Sequence, residues 1–151
     1  MRVMAVDYGD ARTGVAVSDM SATMAGEAWV LRVNGQNALA AAIADEAVKR
    51  EAGTIVVGYP KNMDGSAGPR AEKSEQLVRL LRENCGIEVV LWDERLTTAS
   101  AHKILSDSGV YGKKRKSNID AVAATLILEG YLQYSKGAGS REQGAESDEQ
   151  R

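Results

Sequence analysis

The sequence predicts an α/β fold: a mixed five-stranded sheet, antiparallel through its first three strands and then built from parallel β–α units, with helices on both faces. Three observations predict it. Two Val-rich runs, Val3 to Val6 and Gly14 to Val17, flank the short polar connection Tyr8-Gly9-Asp10-Ala11-Arg12. Two more runs, Thr54 to Gly58 and Ile87 to Trp92, are apolar almost throughout. Segments with helical spacing separate and follow them. Hairpin-linked strands followed by strand–helix alternation make a mixed sheet covered by helices. The first strand and the two buried strands are expected to run parallel in its centre.

At 151 residues the chain is long enough for one domain with a real core. We assign that domain to residues 1–135. The formal net charge of −2 creates no large positive field, so a nucleic-acid partner needs a local basic patch. A single cysteine, Cys85, excludes an intrachain disulfide framework or a cysteine zinc cluster. No apolar run approaches the roughly 18 residues of a membrane span, and no basic-then-apolar leader opens the chain. The expectation is a soluble, cytoplasmic protein with no membrane partner.

Taken in order, the first two runs read as strands because Val-rich stretches bounded by Gly, Asp and Arg favour the pleat. Their connection contains a turn-forming Gly and Asp, so they should pair as a hairpin. Asp7 ends the first strand, beside Gly9, whose missing side chain would let a phosphate or metal approach the backbone. Glu27 to Val33 reads as a third strand. From Gln36 to Glu51, Leu39, Ala42, Ile43 and Ala47 follow helical spacing in Ala-rich sequence, with Gly53 as the expected stop. Thr54 to Gly58 reads as a strand buried on both faces. After the polar loop Tyr59 to Gly68, Pro69 can open a helix at its first position. Leu77, Val78, Leu80 and Leu81 give that helix its apolar stripe, and Asn84-Cys85-Gly86 ends it. Cys85 reads as a small, partly buried residue.

Ile87 to Trp92 reads as another buried strand, ending at Asp93-Glu94-Arg95. A helix is expected from Thr97 or Thr98 to about Asp107. Lys113, Lys114, Arg115 and Lys116 follow in what reads as a loop. Ser117 then suits an N-cap, with Asp120 in the capping-box position. Ile119, Val122, Ala123, Leu126 and Ile127 mark one face of a last helix reaching about Tyr134. Residues 136–151 carry no apolar side chain larger than Ala and read as a disordered tail.

Ligands of such sheets gather outside the carboxyl ends of the parallel strands. Asp7 lies at one such end, the Pro60 to Pro69 loop at a second and Asp93-Glu94 at a third, with Asp120 at the last helix. Carboxylates converging from separate elements suit hard divalent cations. A pair of such ions about 4 Å apart can clamp both oxygens of a phosphodiester displacement. Structural readings stand beside this one: an Asx-turn for Asp7, a rim ion pair with Arg95 for Glu94, a capping box for Asp120. Arg12, Lys61, Arg70 and Arg95 add positive charge to the same rim. Arg70 falls in the first turn of a helix, where a cation opposes the dipole and a phosphate would resolve the conflict. The Lys113 to Lys116 run is either a solvated loop or a hold on a nucleic-acid backbone. His102, the only histidine, suits packing better than catalysis. Neither a G-x-S-x-G nucleophile motif nor a Walker phosphate loop occurs.

Four segments then carry a resemblance: VDYGDARTGVAVSD from Val6, VVGYPKNMDGSAGPRA from Val56, DERLTT from Asp93 and SNIDAVAATLIL from Ser117. Together, over residues 1 to 135, the chain closely resembles the YqgF (RuvX) family of bacterial nucleases, described as acting on precursor 16S rRNA or as Holliday junction resolvases. The resemblance implies an RNase H-like fold and phosphodiester hydrolysis with Mg²⁺ or Mn²⁺. It implies that Asp7, Glu94 and Asp120 are the catalytic and metal-binding acids. Gly58-Tyr59-Pro60 stands where the family more often has Gly-Leu-Pro. The implied partners are precursor rRNA or branched DNA and the assembling ribosome, with the protein a monomer or homodimer. RNase H-like sheets also host ATP-using proteins, so a small nucleotide-binding protein and a non-catalytic nucleic-acid-binding factor stay as alternatives.

Overall fold

Val, Ile and Ala alternate along the strands so that one set of side chains faces each side of the sheet, and this alternation decides where everything else lies. In the computed structural model, residues 1–62, 64–96 and 113–142 are described. Five strands form one sheet: β1 (Arg2–Asp7), β2 (Thr13–Ser18), β3 (Ala25–Leu31), β4 (Ala52–Tyr59) and β5 (Glu88–Asp93), in the spatial order β3-β2-β1-β4-β5. The pairs β1–β2 and β2–β3 are antiparallel; β1–β4 and β4–β5 are parallel. The hairpin closes with Asp7 opposite Gly14.

Helices α1 (Gln36–Lys49) and α2 (Pro69–Asn84) cover one face. There Met4 and Val6 of β1 and Ile55 and Val57 of β4 pack with Leu39, Ile43, Leu77 and Leu81. The long helix α3 (Lys113–Glu142) covers the other, where Val3, Ala5, Ala16, Val56 and Trp92 meet Ala124, Ile127, Leu128 and Leu132. Both cores are mainly buried aliphatic side chains, of which each Val, Leu, Ile or Met is worth about 1.5–3 kcal/mol on full burial. The mixed sheet with helices on both faces is as the sequence predicts.

Several boundaries differ from expectation. β3 covers Ala25–Leu31 rather than Glu27 to Val33, because a strand extends only where its partner does. Its ladder runs from Ser18 opposite Ala25 to Thr13 opposite Leu31. α1 does not need Gly53 to stop it. Arg50 caps it, Glu51 turns the chain with φ of 59°, and Gly53 already lies within β4. β5 is the sheet's edge rather than a buried centre, so Val89 and Trp92 are buried while Leu91 is not. α3 begins at Lys113, so the basic run is helical and Ser117 lies inside the helix rather than capping it. Lys and Arg are good helix formers, which overrides the Ser signal. The helix also runs past Tyr134 to Glu142, into the stretch read as a tail. Once nucleated, a helix gains one hydrogen bond per added residue. The expected helix from Thr97 or Thr98 to Asp107, with His102, lies outside the described residues, as do residues 143–151. Cys85 is half-buried, as expected, its thiol bonded to the Leu81 carbonyl at 3.4 Å.

Candidate functional site

Asp7 continues the alternation of Val3 and Ala5, so it faces α3 rather than α1 and α2. Gly14, directly opposite it, follows the same rule from Ala16. A Cβ on Gly14 would overlap the backbone carbonyl of Asp120. The bare backbone of β2 therefore lets α3 approach at the level of Asp7, and this brings Asp120 to the end of β1. Glu94 opens the short 3-10 turn Glu94–Leu96 after β5 and lies beside Gly58 and Ile127, again on the α3 side. Three acids from three distant segments thus share one face at one end of the sheet.

Their electrostatics reflect that company. Burial, then the negative charge of Glu94, raises the Asp7 carboxyl from 3.8 to about 7; Asp120 adds to the rise and Arg70 opposes it. Burial also raises Glu94, with Arg70 pulling it down and Asp93 pushing it up. Asp93 is the contrast. Arg95 bonds it with Nε at 3.1 Å and Nη2 at 2.7 Å, which holds its carboxyl below the usual range. The rim pairing considered for Glu94 belongs to Asp93.

A cleft of about 270 Å³ opens at Asp7 and is lined by Asp120, Arg12 and Arg70 among others. Arg12 Nε lies 3.2 Å from Asp120 Oδ2. Arg70 donates from Nη2 to the Tyr8 carbonyl at 3.2 Å, and Lys73 Nζ sits 3.2 Å from Asp10. These two contacts tie the β1–β2 turn to the first turns of α2. Gly9 lines the cleft, with little room for a side chain. Its Cα is closed over by the Arg12 carbonyl, and its N–H meets Thr13 Oγ1 at 3.4 Å.

Of the residues read as phosphate contacts, Arg12 and Arg70 reach the cleft. Arg95 is spent on Asp93. Lys61 stacks its ammonium over Tyr59, 5.6 Å from the ring centre. Lys113 to Lys116 lie in the first turns of α3, the helix that carries Asp120. Two residues escaped the sequence reading: Gly14 and Gly58. An isolated glycine inside a strand signals close backbone approach, which was the available clue.

The donor set fits a hard divalent cation in kind. It offers carboxylate oxygens, and a cation would offset both the burial of Asp7 and the like charges of Glu94 and Asp120 beside it. Among the described residues no three acidic, His or Cys side chains already form a closed cage. An ion would therefore have to draw these acids together.

The comparisons agree with the fold. A family model described as "RuvX: Holliday junction resolvase" matches residues 1–134. A curated relative from Halothermothrix orenii, named "Putative pre-16S rRNA nuclease", is 46% identical over 135 residues, which cover 89% of this chain and 96% of the relative. Its namesake from Halalkalibacterium halodurans is 46% identical over 134 residues, covering 87% and 96%. Among solved structures, the RuvC of T. thermophilus in complex with a Holliday junction substrate aligns with a TM-score of 0.57 at 15% identity, covering 89% of this chain and 96% of that one. The fowlpox virus resolvase bound to Holliday junction DNA gives 0.55 at 12%, covering 89% and 99%. At such identities the two structures speak for the fold alone.

Proposed function

The chain belongs to the RuvX (YqgF) family, and from that premise we propose that it is a divalent-metal-dependent endonuclease that trims the 5′ end of precursor 16S rRNA. The observation that carries the reading is Asp7. It is a carboxylate half-buried at a strand end, raised to about 7, with Glu94 and Asp120 acting on it. Asp93, by contrast, lies against Arg95, and its carboxyl is held low.

Asp7, Glu94 and Asp120 would hold Mg²⁺ or Mn²⁺. Such an ion supplies charge neutralisation at the reacting phosphate and an activated water. The chain's own residues do the rest. Arg70 and Arg12 present guanidinium groups to the cleft, where they orient a phosphate backbone. Arg12 also holds the Asp120 carboxylate at 3.2 Å. Lys61 and the run Lys113, Lys114, Arg115 and Lys116, which precedes Asp120 in the sequence, would add contacts to the polyanion. Asp7 takes its charged form when that cationic surroundings is complete, which couples ionisation to substrate and metal binding.

No helix among the described residues is long and apolar enough to cross a membrane. We place the protein in the cytoplasm, working on the assembling ribosome. End trimming needs one site, so a monomer suffices. The family model's description favours a second reading, resolution of four-way DNA junctions, which would call for two symmetric copies.

The test is cleavage with Mg²⁺ or Mn²⁺ by wild type and Asp7→Asn. The substrates are an RNA spanning a precursor 16S 5′ end and a synthetic four-way DNA junction. Metal-dependent cleavage of the RNA, lost in the variant, is the expected result. Cleavage of the junction alone selects the second reading. Full activity in a folded Asp7→Asn protein removes the metal-clamp mechanism.

A further inference from the structure

β4 arrives at the candidate site with a buried glycine, Gly58, opposite Trp92 of β5. Alternation from Val56 turns its α-carbon toward α3. A Cβ there would stand 2.5 Å from Glu94 Oε2 and 2.7 Å from Ile127 Cδ1. Non-bonded carbon contacts are comfortable at about 3.5–4.0 Å, so both groups occupy space that any other residue would claim.

The obstacles distinguish this glycine from Gly14. At Gly14 the blocking atoms are backbone of α3, which cannot yield without moving the helix. At Gly58 both are the free ends of side chains. An added methyl at Gly58 is therefore accommodated by rotating Glu94 and Ile127 aside, with strand and helix left in place. The fold tolerates the change; the carboxylate does not keep its position.

We propose that Gly58 is a positioning residue for phosphodiester cleavage, its bare α-carbon being the seat of the Glu94 carboxylate. This rests on the reading of Glu94 as a metal ligand. It goes beyond that reading by naming the feature of β4 that sets where the ligand stands. Ile127, packed on the other side of the same space, would act only as apolar filling.

The test uses Mn²⁺ alone as probe, with affinity measured by calorimetry on wild type, Gly58→Ala, Glu94→Gln and the double variant. Loss of a group that orients a metal ligand typically costs 10–100-fold in affinity, so Gly58→Ala should weaken Mn²⁺ by at least about tenfold. In the Glu94→Gln background, where the ligand charge is already gone, the same substitution should change affinity less than about twofold. In cleavage, kcat should fall by about 10²-fold, as for a misplacement near 1 Å, with KM for the RNA unchanged. Adding Ile127→Val to Gly58→Ala relieves the apolar overlap and keeps the variant foldable. It should not restore Mn²⁺ affinity. Wild-type affinity in Gly58→Ala, a loss that persists beside Glu94→Gln, or rescue by Ile127→Val would each overturn the proposal. If Glu94→Gln alone leaves Mn²⁺ affinity unchanged, the ligand reading of Glu94 is what fails, and the inference goes with it.

Discussion

Replacing Asp7 with Asn should make the fold more stable at neutral pH while abolishing cleavage. In the unfolded chain this carboxyl loses its proton near pH 4; in the folded chain it holds it until about pH 7. Between those values the unfolded state binds fewer protons, so stability falls as pH rises and the full penalty stands above pH 7. With each unit worth about 1.4 kcal/mol, the charge costs the fold on the order of 4 kcal/mol at pH 8 and about 0.5 kcal/mol at pH 4. Asn keeps the shape and removes the charge. Urea unfolding at the two pH values, wild type against variant, should show a gain on the order of 2–4 kcal/mol at pH 8 that shrinks to under about 1 kcal/mol at pH 4. Saturating Mn²⁺ should narrow that gap. An ion at 100 times its Kd stabilises the wild type by about 2.7 kcal/mol and has lost a ligand in the variant. A variant no more stable than wild type at pH 8, or a difference that does not depend on pH, would refute the picture of Asp7 as an uncompensated acid.

Gly14→Ala should be far less tolerated than Gly58→Ala. Its methyl meets the Asp120 carbonyl, and overpacking of this kind costs about 1–3 kcal/mol, read as a lowered Tm together with lost cleavage. Arg12→Ala breaks an ion pair whose arginine is half exposed, so denaturant unfolding should show less than about 1 kcal/mol of change, while KM for nucleic acid rises. Substituting Lys113, Lys114, Arg115 and Lys116 with Gln should weaken RNA binding and flatten its salt dependence, by up to about 3 in the log–log slope. Unchanged affinity and slope would leave that run with no role in binding.

The hairpin, β4 and α2 were legible because their signals are local: Val-rich runs, a Gly-Asp turn, a proline at the first helical position. The convergence of Asp7 and Glu94 was legible too, since both follow parallel strands whose carboxyl ends lie together. What escaped depends on contacts between distant segments. Nothing near Arg95 in sequence says that it will bond Asp93 rather than Glu94, because both carboxylates are within reach of its long side chain. The start of α3 escaped because a Ser with an acid three residues on mimics a cap inside good helix-forming sequence. Gly14 and Gly58 escaped for a different reason. Each was read as part of an apolar strand, where its value is what it omits.

Alternation connects these points. Val3, Ala5 and Asp7 share one face; so do Ala16 and Gly14, and Val56 and Gly58. The same period of two that buries aliphatic side chains under α3 delivers, at the strand ends, one acid and two vacant α-carbons to that face. The vacancies admit Asp120 from the helix and Glu94 from the turn after β5. The opposite face, under α1 and α2, carries none of these acids and holds the larger aliphatic core. An acid cluster that repels itself is a liability to folding, and here it is confined to the end of one layer. A substitution under α1 or α2 should therefore change stability with little effect on cation affinity. One under α3 near Ile127 should change both.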